Sequence, residues 1–265
     1  MDPLPNTAEI ALAEAMRRVG RKGFETALHA WFRRAVGIDN LIVLAYSDQS
    51  RPEVLYRHND LPQVFGELET TYLAGAYLLD PFYGLHRDRV AAGVYRLRDV
   101  APDAFPRSRY YTEYYRQTTL IDELTFYAWP QPALSVTICL GRDNASGQPF
   151  GPRAVQTCNR IAPIVAALAE AHWAELAPPR AGRGESVATG LAQAAEAQLG
   201  LHLTPRQAEV ALLILQGHST TSIGLRLGVS AQTVKVFRKQ LYARCRISSQ
   251  AELFAMMLPV LRGID

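Results

Sequence analysis

The spacing of apolar residues changes character several times along the chain. Over residues 6–36 it is helical: Asn6 stands at a capping position with Glu9 three residues on, and Phe24, Leu28, Trp31 and Phe32 recur on one face, so two helices are expected. Five runs rich in β-branched and aromatic residues then read as strands: LIVLAY (41–46), EVLYR (53–57), GVYRL (93–97), LTFYAW (124–129) and ALSVTICL (133–140). Helical patterns lie between them at 62–76, 81–90 and 108–117, and another closes the region over 152–176. Strands with short connections and helices grouped between them imply an α+β unit, an antiparallel sheet covered by helices.

Alternation also sorts the faces of the last two strands. Asp122, Leu124, Phe126 and Ala128 fall on one side with Leu134, Val136, Ile138 and Leu140. Glu123, Thr125 and Tyr127 fall on the other with Ser135, Thr137 and Cys139. The first set is a packing surface; the second is mixed and hydroxyl-rich.

Residues 177–186, APPRAGRGES, exchange apolar residues for Pro, Gly and Arg and read as a linker, followed by an alanine-rich helix ending at Gly200. The remainder punctuates itself into four helices. Thr204, Pro205 and Gln207 form a capping box with proline at the first helical position, ahead of a stripe of Ala208, Ala211, Leu212 and Leu215 that runs to Gly217. Ser219 caps a short helix ending at Gly228, Ser230 caps a third, and Ser249 with Glu252 opens a fourth that carries Phe254, Met257, Leu258 and Leu261 on one face. A short helix, a glycine turn and a longer basic helix make the helix-turn-helix pattern. On the third helix, Phe237, Leu241 and Cys245 lie within about 60° of Val234, while Gln232, Lys235, Val236, Lys239 and Ala243 occupy the opposite arc. Arg238 and Arg244 flank the apolar stripe, where phosphates suit them better than bases. The apolar face of the fourth helix, Phe254, Met257, Leu258 and Leu261, is expected to exceed what so small a unit needs for its own core and to supply part of a dimer contact.

Charge separates the two parts. Residues 1–176 hold 18 Lys and Arg against 20 Asp and Glu, whereas residues 200–265 hold 8 against 3. Two of the chain's three lysines are Lys235 and Lys239. A local base excess on an amphipathic helix beside a capped helical layout points to double-stranded DNA as partner. The length, 265 residues, suits two domains, and 48% hydrophobic with 20% charged residues marks a chain that folds. No apolar run approaches a membrane span, and acids stand where a signal peptide carries bases, so a cytoplasmic protein without membrane contact is expected. Cys139, Cys158 and Cys245 are widely spaced, suit neither a disulfide framework nor a metal site, and read as small buried apolar residues.

The segment LTPRQAEVALLILQGHSTTSIGLRLGVSAQTVKVFRKQLYARC resembles the DNA-binding domain of LuxR-type transcription regulators, through Leu203, Thr204, Pro205, Arg206, Glu209, Val210, Gly217, Ser219, Ile223, Leu227, Val229, Ser230, Thr233, Val234, Lys235 and Val236. It departs from the family at Gln207, Gly224 and Phe237, where glutamate, alanine and histidine are usual. The resemblance implies base reading by Lys235, Val236 and Lys239, with Thr204, Arg206, Ser230, Gln232, Thr233 and Arg238 completing the DNA-binding set. The α+β unit resembles the GAF and PAS-like sensor domains that precede this domain in many such regulators. The organisation that follows is a sensor over 1–176, a linker and short helix over 177–199, and a DNA-binding domain over 200–265.

Catalytic motifs are lacking: no GxSxG, Walker A or GxGxxG follows a strand, and a phosphorylated receiver domain needs an early acidic cluster and a later lysine that are not there. No enzymatic activity, cofactor or metal is expected. Nine of twelve tyrosines lie between residues 72 and 127, an aromatic density that suits either a pocket for a small amphipathic effector or an aromatic core. Asp80 in YLLDPF resembles the Asp-Pro of acyl-homoserine-lactone receptors, where the aspartate accepts the ligand's amide hydrogen; Asp followed by Pro is equally a helix start. Glu67 and Thr71 stand where those receptors carry tryptophan and tyrosine. Glu123 beside aromatics suits a cationic amine, or pairs with an arginine such as Arg116. The ligand-site candidates are Asp80, Tyr72, Tyr77, Glu123, Tyr127, Trp129 and Ser135. A homodimer on an inverted repeat and a small-molecule effector are the expected partners, and the rival expectation is a sensor-like domain that only dimerises or docks a protein.

Overall fold

Pro5, with ψ 142°, starts the first helix: its carbonyl accepts from the Ala8 and Glu9 amides, and Asn6, expected as the cap, is instead the first helical residue. Helix α1 (Asn6–Arg17) packs on α2 (Phe24–Ala35), and strands β1 (Asn40–Ser47) and β2 (Ser50–Asn59) follow. The computed structural model describes residues 5–47, 50–177 and 186–264. Short turns at Pro62–Phe65, Leu68–Tyr72 and Ala76–Leu79 lead into α3 (Pro81–Arg87), β3 (Gly93–Arg96) and α4 (Leu97–Val100). Further turns at Phe105–Arg107, Tyr110–Tyr114 and Tyr115–Thr118 precede the hairpin of β4 (Leu120–Gln131) and β5 (Leu134–Asp143), and α5 (Pro152–His172) closes the region.

All five expected strands form, in the order β2-β1-β5-β4-β3, every pair antiparallel. Edge strand β2 carries Pro52, which a central strand could not accommodate without losing a ladder bond. The helical pattern over 62–76 is broken into short turns around Pro62, Gly66 and Gly75, whereas that over 108–117 forms as two consecutive helical segments, Tyr110–Tyr114 with wider and Tyr115–Thr118 with tighter turns. At Leu68–Tyr72 the bonds widen to five residues, as Leu73 N–H donates to the Leu68 carbonyl, while Thr70 and Thr71 hydroxyls donate to Glu67.

The chain divides into two compact units, one of Met1–Phe65, Leu85–Val100 and Thr119–Ala181, the other of Gly66–Gly84, Ala101–Thr118 and Gly182–Asp265. In the first, one sheet face makes the main core: Leu41, Val43, Leu124, Phe126, Val136 and Ile138 pack against Trp31, Phe32, Ile161 and Val165. Phe32 stacks on Phe126 with ring centroids 5.3 Å apart. Asp122 points to this face as alternation required, buried in a bidentate pair with Arg96 of β3 that also holds the Phe150 N–H at 2.9 Å. At the end of α5, His172 stacks on Phe24 and accepts the Gly20 N–H, tying that helix to the α1–α2 connection.

The second unit contains α6 (Val187–Leu199), α7 (Pro205–Gln216), α8 (Thr220–Leu227), α9 (Ala231–Cys245) and α10 (Gln250–Leu261). The linker expected over 177–186 lies, at 178–185, outside the described residues. Ser186 caps α6 by accepting the Thr189 N–H, and Gly200 ends that helix in the left-handed conformation. Both bonds of the Thr204–Gln207 capping box are present, and Ser219, Ser230 and Ser249 each accept the amide three residues on. Helix α7 is buried on more than the expected stripe: Val210, Leu213 and Ile214 are enclosed with Ala208, Ala211 and Leu215, while Leu212 is only half-buried. It packs against α6, α8, α9 and α10, which leaves it little solvent face. The three cysteines are free and buried. Among the described residues no helix is long and apolar enough to cross a membrane.

Candidate DNA interface and ligand site

Helix α9 fixes its own orientation. Val234, Leu241 and Cys245 are buried, Phe237 is half-buried, and Gln232, Lys235, Val236, Lys239 and Ala243 are exposed on the opposite arc. Val236 is 46% exposed on this face, between the two lysines. The Ser230 hydroxyl accepts the Thr233 amide at 3.0 Å and meets the Thr233 hydroxyl at 2.8 Å, so these two candidates set where the helix begins. Arg238 lies over the Tyr242 ring at 5.0 Å, which holds its guanidinium beside the helix. Arg206 pairs with Glu209 at 2.8 Å near the start of α7, where Thr204 is the cap. Arg244, beyond the expected set, donates to the His202 carbonyl at 2.7 Å.

The dimer face expected on α10 is corrected. Phe254, Met257 and Leu261 are buried within the unit, together with Leu253 and Val260, and Leu258 is half-buried. The helix packs on α6, α7 and the Ala76–Leu79 turn, so a sequence window confined to residues 200–265 undercounted the apolar surface it has to cover.

The seven ligand-site candidates fall into two groups: Tyr72, Tyr77 and Asp80 in the second unit, Glu123, Tyr127, Trp129 and Ser135 in the first. Asp80 caps α3, its Oδ1 accepting the Phe82 N–H at 2.8 Å, while its Oδ2 accepts the Tyr72 hydroxyl at 2.7 Å. Burial pushes its carboxyl up to about 6, outweighing the two hydrogen bonds that pull it down. Tyr72 stacks on Tyr114, Tyr77 meets Tyr83 edge-on, and Phe105 lies against Tyr110, Tyr111 and Tyr115, so much of the tyrosine density forms an aromatic cluster of this unit.

In the first unit, the hydroxyl-rich sheet face is buried as well. Thr125, Ser135, Thr137 and Tyr127 are enclosed there with Ile42, Leu44 and Tyr46 of β1. His86, which the sequence reading did not single out, reaches Ser135 Oγ with its Nδ1 at 2.7 Å and stacks on Trp129. Trp129 donates its indole N–H to the Val90 carbonyl and lies under Arg89, so this candidate is engaged in holding the α3–β3 connection. Thr137 donates to the Leu44 carbonyl, whereas Thr125 Oγ1 is buried with no hydrogen-bond partner. Glu123 is half-buried opposite Gly141. Two surface cavities, of about 910 and 420 Å³, are lined by other residues, the first by Arg96, Arg98, Phe150 and Arg153, the second by Ile10, Ala11, Ala27 and Ala30.

An antiparallel sheet backed by helices, followed by capped helices that turn a basic face outward, is the architecture of a helix-turn-helix transcription regulator. Residues 201–257 match the family described as bacterial regulatory proteins, luxR family. A relative from Aeromonas salmonicida, "Putative HTH-type transcriptional regulator in exeN 3'region", is 31% identical over 185 residues, which is 68% of this chain and 93% of that one. The chain belongs to the luxR family of bacterial regulatory proteins. The VqsR LBD domain from Pseudomonas aeruginosa shares the fold of the N-terminal region, with a TM-score of 0.53 and 23% identity over 63% of this chain and 97% of that one. Escherichia coli SdiA aligns with 97% of this chain and 93% of its own at 16% identity, but its TM-score of 0.36 carries no structural argument.

Proposed function

We propose that this regulator binds double-stranded DNA as a homodimer on an inverted repeat, through Lys235, Val236 and Lys239 to base edges and Arg238 to phosphates, with Thr204, Arg206, Ser230, Gln232 and Thr233 completing the interface. The observation that carries this reading is the polarity of α9, with both lysines exposed on the arc away from buried Val234 and Leu241. Residues 1–176 sense, 200–265 read DNA, and 177–199 connect them in a cytoplasmic protein. A selection of bound duplexes from a randomised pool tests the symmetry: two half-sites about one helical turn apart are expected, and a single asymmetric site would refute the dimer.

The effector of this reading is a small amphipathic or amine-like molecule. Its support is the buried hydroxyl-rich face, where Thr125 Oγ1 lacks a partner that a ligand's polar group would supply. The rival reading is a domain that only dimerises or docks a protein. Native mass spectrometry of the protein purified from its own host separates them, because a retained small molecule supports the first and its absence the second. With that molecule in hand, ligand-induced thermal stabilisation of wild type and Asp80→Asn assigns Asp80: a lost response puts it in the site, an unchanged one removes it.

A further inference from the structure

The apolar face of α10 is consumed inside its own unit, so the homodimer proposed above needs another surface. The helical hairpin at the start of the first unit offers one. Helices α1 and α2 are joined by residues 18–23 and pack on each other, so they run antiparallel, and a groove of about 420 Å³ lies between them. Ala11, Ala27 and Ala30 make its floor, three side chains small enough to admit a knob from outside. Ile10 stands beside them 63% exposed, more than any other large apolar side chain among the described residues of the first unit. The other side of the hairpin is already used, because Ala8, Phe24, Leu28 and Trp31 lie in the main core.

The charges along this groove select its occupant. In an antiparallel hairpin the end of α2 lies beside the start of α1, so Arg34 stands near Thr7 at one end of the groove and Glu14 stands near Ala27 at the other. A half-turn about an axis through the middle brings the Glu14 end of one copy onto the Arg34 end of the other, twice over, and sets each Ile10 against an alanine floor. Glu14 Oε1 accepts from Arg18 Nε at 2.6 Å, whereas Oε2 lies 3.6 Å from Arg17 Nη1, too far for a hydrogen bond, and so has room for a further donor. Arg34 is exposed, its Nη1 donating to the Ala30 carbonyl at 2.9 Å, and a guanidinium has donors to spare. A surface whose charges become opposite under a half-turn matches a second copy of itself.

We propose that the α1–α2 groove is the contact between sensor regions in the homodimer. Two hairpins pack face to face as a four-helix bundle, with Ile10 of each copy seated in the other's alanine-lined groove and Glu14 of each facing Arg34 of the partner subunit. The proposal rests on the homodimer reading given above and supplies the surface that α10 does not.

Sedimentation velocity of the full chain reads the association, with circular dichroism to check that each variant folds. Ile10→Asp puts a carboxylate where the knob would be buried, and its dimer dissociation constant is expected to rise about tenfold or more. Two charge reversals, Glu14→Arg and Arg34→Glu, make the sharper arm. Each alone sets like charges across both contacts and should weaken the dimer about fivefold. An equimolar mixture of the two variants forms a heterodimer in which both contacts are again opposite in sign, so association should return close to the wild-type level. A mixture no tighter than either variant overturns this interface, and so does wild-type association of a folded Ile10→Asp protein; in both cases a dimeric wild type leaves the homodimer reading standing. If Ile10→Asp does not fold, the mixture alone decides. A wild type that stays monomeric defeats the homodimer reading together with the interface.

Discussion

Tyr72 and Asp80 are joined by a 2.7 Å hydrogen bond from phenol to carboxylate, eight residues apart in the chain and on either side of the Ala76–Leu79 turn. With the Phe82 amide on its other oxygen, the carboxylate both starts α3 and anchors a tyrosine of the aromatic cluster. The capping reading of Asp80 is therefore realised in the fold, and any effector would meet a carboxylate already positioned by two donors.

This environment has a pH signature. Asp80 ionises near 6 in the folded chain against 3.8 ordinarily, so between those values the folded state holds a proton that the unfolded state has released. Its contribution to stability is present at low pH and is lost as pH rises from about 4 to about 6. Urea unfolding of wild type and Asp80→Asn should show the variant gaining on the wild type across that window; parallel pH profiles would contradict the burial of this charge.

The Arg96–Asp122 pair makes a second test. Asp122→Ala leaves a buried guanidinium without its counter-charge and frees the Phe150 amide, a loss of about 3–5 kcal/mol by denaturant unfolding. Replacing both residues together, with methionine and leucine, should recover most of it. A single substitution costing under about 1 kcal/mol would mean the pair is solvated.

Met257→Lys distinguishes packing from association. Because Met257 is fully buried, the variant should lower the unfolding midpoint of the helical unit at every protein concentration, by about 3 kcal/mol or more in stability. An intact melting curve with a weakened dimer would restore α10 as an interface.

What was legible in the sequence was what local chemistry dictates. The serine and threonine caps, the glycine stops of α6 to α8 and the wheel of α9 depend on neighbours a few residues away, and they form as read. Strand alternation likewise separated Leu124 and Phe126 from Thr125 and Tyr127. The misreadings have two sources. The break over 62–76 follows from Pro62, Gly66 and Gly75 within the segment itself, whereas the enclosure of Leu213 and Ile214 and the burial of the α10 face depend on elements outside a short sequence window. His86 gave no periodic signal, and its role comes from Ser135 and Trp129, more than forty residues on.

The most direct measurement of the central claim is the affinity of Lys235→Ala and Lys239→Ala proteins for a selected operator and for random DNA. If α9 reads bases, each substitution should cost about 1–3 kcal/mol on the operator and much less on random duplex. Equal losses on both would make these lysines phosphate contacts, and no loss on either would place DNA recognition outside the exposed face of α9.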